Sequence, residues 1–244
     1  RVPFFFFSVL CFVNFIYGYF ILPESLAKEN RRKFEWKRAN PVGALLRLRK
    51  HPTLFGLMSA IFILYVASHA VQSNWSYYTM FRFGWDEKMV GISFGIIGLL
   101  VGLVQGVLIR WINPKLGNVN SIYVGIILYA VGMFLFASAT QSWMVFVFLI
   151  PYCLGGIAGP AMQSVVSSQV LPTEQGEIQG TLSSLMSASA IIGPPVMSGI
   201  FYYFTHDEAP FEFAGAPFVL GGFLMLVSLV IAYFSFKKQK SHLK

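Results

Sequence analysis

Residues 23–51 read PESLAKENRRKFEWKRANPVGALLRLRKH, and this stretch decides how the rest of the chain is arranged. It carries nine of the 18 Lys and Arg residues, although only 11% of the chain is charged. A solvated basic linker or a nucleic-acid patch would have a similar composition. However, apolar runs long enough to cross a bilayer flank the stretch on both sides. Because cation-rich short loops stay on the cytoplasmic side of membranes, we predict a cytoplasmic loop that sets the direction of every span.

The overall composition predicts an all-α integral membrane protein. Hydrophobic residues make up 56% of the 244 residues, and the mean hydropathy is +0.64. A soluble domain of this size would need far more surface charge. The apolar runs are continuous rather than alternating, which disfavours a β-barrel. The net charge of +8 comes from cations in predicted cytoplasmic loops, so it indicates a lipid bilayer as the partner and no nucleic acid.

Two cysteines, Cys11 and Cys153, both lie inside apolar runs. We expect them to pack in the interior, and they indicate neither a disulfide framework nor a metal site. The chain begins at Arg1 and enters an apolar run at once. This beginning suggests a piece of a longer protein, cut at the edge of a span.

Seven apolar segments are long enough to cross a hydrocarbon core of roughly 30 Å. One precedes the basic stretch and six follow it. A short surface helix is also predicted over residues 41–50. The predicted spans are residues 3–22, 52–80, 89–111, 119–139, 143–170, a helix that starts near residue 173 and is interrupted at Pro194-Pro195, and 213–236.

The cations give the predicted orientation of these spans. Residues 23–51, 110–118 and 237–244 together hold fifteen of the 18 Lys and Arg residues. We therefore place these three segments, including the C-terminus, in the cytoplasm. The six spans after the basic stretch divide into 52–139 and 140–236, and the two triplets begin on opposite sides of the membrane. An inverted repeat of this kind is typical of secondary transporters, although any six-span chain divides in this way.

Isolated polar side chains inside the spans are the candidates for contact with a substrate. Glutamines there have a second interpretation as hydrogen-bonding groups between helices, and a histidine there has one as a packed side chain. Asn74-Trp75-Ser76 also matches a glycosylation sequon, a weak three-residue match. Trp75, Tyr77 and Tyr78 are expected to form an aromatic belt at the membrane surface. The candidates for the substrate cavity are His69, Gln72, Asn74, Gln105 and Gln163.

Glycine and proline positions are the candidates for gating and hinge motion. Residues 91–106 carry five glycines at spacings of four, three, four and four, so one helix face is free of side chains and open to another helix. Prolines remove a backbone hydrogen bond and bend a helix. Arg110 and Lys115 are either topology anchors or contacts of a cytoplasmic gate. The candidates are Gly106, Arg110, Lys115, Gly117, Gly159, Pro160, Pro194 and Pro195.

Three blocks of sequence resemble a known family of transporters. They are LPESLAKENRRKFEWKRANPVGAL, YYTMFRFGWDEKMVGISFGIIGLLVGLVQG, and GGIAGPAMQS followed by PTEQGEIQGTLSSLMS and IIGPP. In this order they resemble the tetracycline-resistance-like, drug:proton antiporter branch of the major facilitator superfamily. Gly106, Arg110, Lys115 and Gly117 resemble the degenerate copy of the family's loop motif, without its acidic partner.

The resemblance implies a domain organisation. Residues 1–22 would be the last span of the N-terminal half, and 23–51 the cytoplasmic linker between halves. Residues 52–139 and 140–236 would be two inverted three-helix repeats that form the six-helix C-terminal half, and 237–244 a basic cytoplasmic tail. The first five spans would belong to a missing part of the same protein, which is therefore an expected partner.

The resemblance also implies a function. It is proton-coupled efflux of small amphiphilic compounds by alternating access, in a bacterial inner membrane, with the proton gradient as energy source and no cofactor. Tetracycline exporters carry an Asp in the span that matches 119–139 and a His in the span that matches 89–111. Here the matching residues are Leu128 and Val101, and no predicted span contains a carboxylate. The coupling acids would then lie in the missing half, and His69 would be the titratable group of this one.

Two other classes of function were weighed against transport. A membrane-embedded enzyme would need paired acids, a histidine cluster or a Ser/His/Asp set at membrane depth, and the spans contain none of these. We therefore predict that the protein is not an enzyme. A non-transporting receptor or assembly protein built on the same fold is the alternative that the sequence leaves open.

Overall fold

The computed structural model of the protein describes residues 2–22 and 52–242. The basic stretch, with the helix predicted over 41–50, lies outside the described residues. The chain divides into two compact units, Arg1–Glu35 and Trp36–Lys244, which are taken separately below. The α-helices are α1 (Val2–Phe20), α2 (Pro52–Phe83), α3 (Glu87–Leu103), α4 (Ile109–Ser138), α5 (Ser142–Leu154), α6 (Ala158–Ser168), α7 (Gln175–Tyr203) and α8 (Ala216–His242).

The first unit contains α1, an apolar helix whose hydrophobic part runs over Phe4–Phe20. Its large side chains are exposed, from Phe4 at 80% to Phe20 at 76%. Cys11 is exposed as well, whereas Cys153 in the second unit is buried. The expectation of interior packing is therefore confirmed for Cys153 and wrong for Cys11 among the described residues.

In the described part of the chain, five continuous helical stretches are long and apolar enough to cross a membrane. One of them, Glu87–Ser138, has 52 residues. At about 1.5 Å per residue it would measure roughly 78 Å if straight, more than twice the hydrocarbon core. Gly117 breaks it, with φ 75° and ψ 157° in the interior of α4. The stretch therefore forms two successive spans, and six spans follow the basic stretch as predicted.

The core of the second unit lies around α2. This helix packs along α7 and α8, and α4 packs along α8, α5 and α6. Ser228 of α8 donates a hydrogen bond of 2.8 Å to the carbonyl of Ala60 in α2, and both residues are fully buried. Small side chains and interhelical hydrogen bonds hold helices together where lipid replaces water.

A close crossing joins α4 to the α5–α6 pair. A Cβ atom placed on Gly125 would lie 2.8 Å from the backbone nitrogen of Ala158, and one on Gly132 would lie 2.8 Å from Cα of Tyr152. The glycines predicted to receive a helix behave differently. At Gly91, Gly95, Gly98, Gly102 and Gly106, no described residue lies within 4 Å of an added Cβ. This stripe is therefore an open face of α3, and the close contacts fall on glycines that the sequence did not single out.

Buried aromatic residues close the end of the bundle where α2 turns into α3. Trp75 and Tyr78 are 0% and 1% exposed, and Trp85 is 7% exposed. The indole of Trp75 donates to Ser93 at 2.9 Å, and the hydroxyl of Tyr78 donates to the carbonyl of Phe136. We call Trp75, Tyr78, Trp85, Phe136 and Phe218 the aromatic end. The predicted belt is therefore wrong for Trp75 and Tyr78, whose polar tips bond to neighbouring helices.

Of the interruptions expected at Pro151, at Gly159-Pro160 and at Pro194-Pro195, a break is present only near Gly159-Pro160, and α5 continues through Pro151. Between α5 and α6 the chain forms a short 3₁₀ turn, Gly155–Ile157. Pro160 has no N–H, so it cannot form the α-helical bond to the carbonyl of Gly156. By contrast, α7 continues through Pro194 and Pro195 as one helix. The interruption predicted at that pair is therefore wrong.

Candidate functional site

Helix α2 presents two different faces to its neighbours. Ala70 lies against Gly221 of α8, and Tyr78, two turns further, packs against Phe218 of the same helix. Tyr65, His69 and Gln72 follow one another at spacings of four and three, so they share a different face. Since successive residues turn by about 100°, Tyr65 points away from Asn74 by roughly half a turn. One face of α2 holds the bundle together, and the other carries polar groups.

The polar face of α2 is bonded to α6. The amide nitrogen of Gln163 donates to the hydroxyl of Tyr65 at 3.1 Å, and the two side chains are partly buried. This contact links the two predicted three-helix repeats. Gln163 is a predicted cavity residue, whereas the sequence reasoning missed Tyr65. Its spacing of four from His69 was a signal that would have found it.

A second polar contact lies where two irregular segments meet. Residues Val104–Leu108 form a π-helical segment between α3 and α4, which contacts the 3₁₀ turn Gly155–Ile157. A Cβ atom placed on Gly156 would lie 3.7 Å from the hydroxyl of Tyr129 and 3.9 Å from Nε2 of Gln105. Isolated π turns inside α-helices are frequent at functional sites. The predicted residue Gln105 is thus brought to the broken helix.

The two contacts belong to one region. Tyr65 lies within electrostatic range of Tyr129. Gln163 of α6 follows Gly156 of the 3₁₀ turn by seven residues, about two helical turns along the chain. We call Tyr65, Gln105, Tyr129, Gly156 and Gln163 the polar seam. No sequence signal pointed to Tyr129, because only the crossing of α4 over the 3₁₀ turn brings it there.

His69 lies one turn from the polar seam, against α7. A Cβ atom placed on Gly193 would come within 2.8 Å of the His69 Cβ, so this glycine is what allows the histidine to pack there. Within the described part of the chain, the imidazole forms no hydrogen bond. Gln72, one turn further along α2, is exposed. Their roles as substrate contacts stay predictions.

Asn74 stands apart from the other candidates. It is fully buried, and its amide nitrogen donates to the carbonyl of Ala70 at 3.4 Å. Its amide oxygen has no partner among the described residues. The position on the packed face of α2 favours a structural role over substrate contact. It also makes the sequon around Asn74 inaccessible to glycosylation in the folded protein.

The gating candidates occupy five different settings. Gly106 lies in the π segment, and Gly117 forms the turn between two spans. Gly159 and Pro160 lie in the first turn of α6, just after the 3₁₀ break. Arg110 and Lys115 are exposed near the start of α4. Their gating roles stay predictions, as does the hinge role of Pro194 and Pro195.

The described spans contain very few charges. Glu87 and Glu177 lie in the first turns of α3 and α7, and no Asp or Glu of the described residues lies deeper. The described residues also contain no group of three or more His, Cys, Asp or Glu able to hold a metal ion. Between their ends, the described spans are therefore polar through amides, hydroxyls and the imidazole of His69. Broken helices that line a polar surface at membrane depth are typical of secondary transporters.

The chain belongs to the Major Facilitator Superfamily. The family model matches it twice, over residues 1–159 and 111–244, so the two matches together cover the chain. This result confirms the predicted all-α fold and the suspected family.

Curated relatives confirm the resemblance to the tetracycline-resistance-like branch. The chain is 34% identical to the tetracycline resistance protein, class E, of Escherichia coli over 96% of the chain and 56% of the relative. It is 31% identical to the class C protein of the same organism over 94% of the chain and 56% of the relative. A mouse protein, hippocampus abundant transcript-like protein 1, is 23% identical over 87% of the chain and 46% of its own length. The chain thus spans about half the length of the relatives it matches.

A solved structure has the same fold. The human organic anion transporter MFSD10 (TETRAN) superposes with a TM-score of 0.73 over 86% of this chain and 52% of its own, at 23% identity. This likeness concerns the fold alone, and it again matches one half of a longer transporter.

Proposed function

We propose that this chain is the C-terminal half, with the last span of the N-terminal half, of a proton-coupled exporter of small amphiphilic compounds in a bacterial inner membrane. The observation that carries the proposal is the polar face of α2, which joins α6 at the polar seam inside an otherwise apolar bundle. A few well-placed polar groups on an apolar surface are what a binding site for amphiphilic molecules requires. The relatives named as tetracycline resistance proteins support export as the activity.

Two helix faces have no described neighbour, which is consistent with a second half of the transporter packing on them. The glycine stripe of α3 has no described neighbour within 4 Å of an added Cβ, and the same holds for Gly176, Gly180 and Gly199 of α7. Faces free of side chains allow helices in lipid to approach closely. In the proposal, the spans of the other half pack on these two faces. Rocking of the halves against each other then opens the seam to each side of the membrane in turn.

The proposal assigns proton coupling mainly to the other half. The described spans hold no carboxylate at depth, and coupling acids are the usual proton relays of such transporters. His69 is the titratable group that this half can contribute, since its imidazole lies within a span and forms no hydrogen bond among the described residues. The proposed orientation places residues 23–51 and the C-terminus in the cytoplasm.

The direct test uses the full-length protein in cells that lack their own drug exporters. We expect lower accumulation of tetracycline or of another amphiphilic compound, and restoration of accumulation by a protonophore. Unchanged accumulation across a broad panel, with the protein correctly inserted, would contradict export. Binding of a compound by reconstituted vesicles without net flux would instead identify a receptor.

Two variants test the role of this half. His69→Ala and Gln163→Ala are expected to weaken export while the amount of inserted protein stays the same. Residues 1–244 expressed alone are expected to give no proton-driven flux, because the coupling acids are absent. Measurable flux from this piece, or wild-type export in both variants, would refute the assignment.

A further inference from the structure

We infer that the meeting point of the two irregular segments is a binding subsite for an uncharged polar group of the transported compound, such as a hydroxyl, keto or amide group. The subsite is formed by Gly156, Gln105 and Tyr129. The inference rests on the proposed function and adds to it the chemistry of one contact.

The fold leaves hydrogen-bonding capacity unused around Gly156. Pro160 cannot give the carbonyl of Gly156 its α-helical partner. Within the described part of the chain, the side-chain amide of Gln105 and the hydroxyl of Tyr129 form no hydrogen bond. In apolar surroundings such groups are stable only where water or a ligand forms hydrogen bonds with them. The hydroxyl of Tyr129 and the exposed amide of Gln105, neither of which forms a hydrogen bond with a described residue, therefore meet beside Gly156.

Gly156 also has room beside it for an additional atom. A Cβ atom there would have only ordinary van der Waals contacts, at 3.7 Å to Tyr129 and 3.9 Å to Gln105. At the neighbouring Gly155, an added Cβ would lie 2.8 Å from the backbone nitrogen of Tyr129 and 2.9 Å from the carbonyl of Gly125. Gly155 is thus needed for helix packing, whereas the space at Gly156 is open to an atom that the chain itself does not provide.

The charge of the surroundings also limits which group can bind at the subsite. In the described spans, no Asp, Glu, Lys or Arg lies at depth, so no permanently charged side chain there could balance a bound ion. Placing an unpaired ion there is far more costly than placing a hydrogen-bonded neutral group. The Gly156 carbonyl accepts a hydrogen bond, while the amide and the phenol both donate and accept. This combination suits groups such as hydroxyls and amides, and it disfavours carboxylates and quaternary ammonium groups.

The structure also gives the distance between the subsite and the hydrogen bond of Gln163 with Tyr65. Gln163 and Tyr65 lie about two helical turns from Gly156, or roughly 10 Å along α6. A compound that reaches both positions would carry polar groups about that far apart on one apolar frame. Recognition of any charged group of the compound would then belong to the other half of the transporter.

The experiment compares variants at Gly156, Gln105 and Tyr129 with a control variant at Gly159 in the full-length protein, with tetracycline as the fluorescent probe. Gly156→Ala fits sterically but fills the subsite, so we expect about two- to tenfold weaker binding at unchanged thermal stability, the range for one lost hydrogen bond. Gln105→Leu and Tyr129→Phe should weaken binding by a similar factor, since each removes polar atoms and keeps most of the side-chain volume. Gly159→Ala is the matched control, because nothing lies within 4 Å of its added Cβ, and it should bind as the wild type does.

The possible outcomes distinguish a failure of the subsite from a failure of the proposed function. Wild-type binding in Gly156→Ala, Gln105→Leu and Tyr129→Phe would overturn the subsite and leave the proposed function intact. Equal weakening in Gly156→Ala and Gly159→Ala would also overturn it, because the effect would then come from the helix and not from the space. If the wild-type protein bound and exported neither tetracycline nor any compound of a broad panel, both the function and the subsite would fall.

Discussion

The aromatic end and the polar seam use similar side chains in opposite ways. At the aromatic end, Trp75 and Tyr78 are fully buried and each polar tip has a partner on another helix. In the seam, Tyr65 and Gln163 bond to each other, but Tyr129 and Gln105 are left without hydrogen bonds among the described residues. Hydrogen-bonded buried groups stabilise a fold, whereas polar groups without hydrogen bonds beside an open space are available to bind a ligand. The comparison thus separates the part of the bundle that holds it together from the part that we expect to bind its substrate.

The largest expected effect is loss of the Trp75 side chain. Trp75→Ala removes a buried aromatic ring that packs on Phe136 with 5.1 Å between ring centroids, and it removes the bond to Ser93. We expect about 3 kcal/mol of destabilisation, the lower end for buried aromatics, since lipid replaces water as the surroundings. Thermal unfolding of the purified protein measures it. Trp143→Ala, at a position 61% exposed, is the control, and an equal loss there would contradict the distinction.

The next effect concerns the close crossing of α4 over α5. Gly132→Ala would place a methyl group 2.8 Å from Cα of Tyr152, so we expect about 1–3 kcal/mol of destabilisation from overpacking. Gly98→Ala, on the open face of α3, should leave the isolated half stable. In the full-length protein, reduced export by Gly98→Ala without unfolding would indicate that the other half packs on this open face. If Gly132→Ala and Gly98→Ala were equally stable, glycine would not be required for the close approach of α4 to α5.

A smaller effect is expected at the turn between two spans. Gly117 has φ 75°, in the left-handed region that side chains disfavour. Gly117→Ala should therefore cost about 1–2 kcal/mol, although nothing lies within 4 Å of the added Cβ. Gly176→Ala, also with nothing nearby but in a helix with ordinary φ, is the control in the same unfolding assay. An unchanged unfolding temperature for Gly117→Ala would show that the turn is not strained by a side chain.

The smallest effect on stability should come from the seam. Tyr65→Phe removes one hydroxyl and its 3.1 Å bond to Gln163, worth about 0.5–1.5 kcal/mol. We expect the export rate to fall clearly even though the unfolding temperature changes little, because the bond lies on the face proposed for the substrate. Tyr233→Phe, at an exposed position on α8, should change neither quantity. If Tyr65→Phe lowers stability as much as Trp75→Ala does, the seam belongs to the structural part of the bundle.

The sequence predicted most of the fold but only part of the site. The spans were readable because crossing a bilayer demands about 20 apolar residues, a requirement that leaves a plain signal in one dimension. Gln105 and Gln163 were found because polar side chains in apolar runs stand out. Tyr65 and Tyr129 were not, since a tyrosine in an apolar run is unremarkable until its hydroxyl meets a partner. The glycines were misjudged for a related reason, because spacing shows which glycines share a face but not whether a helix lies against it.

What the sequence determined by itself was the class of protein, the number of spans after residue 51 and the absence of charge at their centre. These features follow from the cost of placing polar and charged groups in hydrocarbon, which acts on each residue separately. Only the tertiary structure decided that Trp75 and Tyr78 are internal, that α7 continues through Pro194-Pro195, and that the π segment meets the 3₁₀ turn at Gly156. Those features depend on pairs of helices distant in sequence, where a single missing Cβ or N–H decides which backbones can touch.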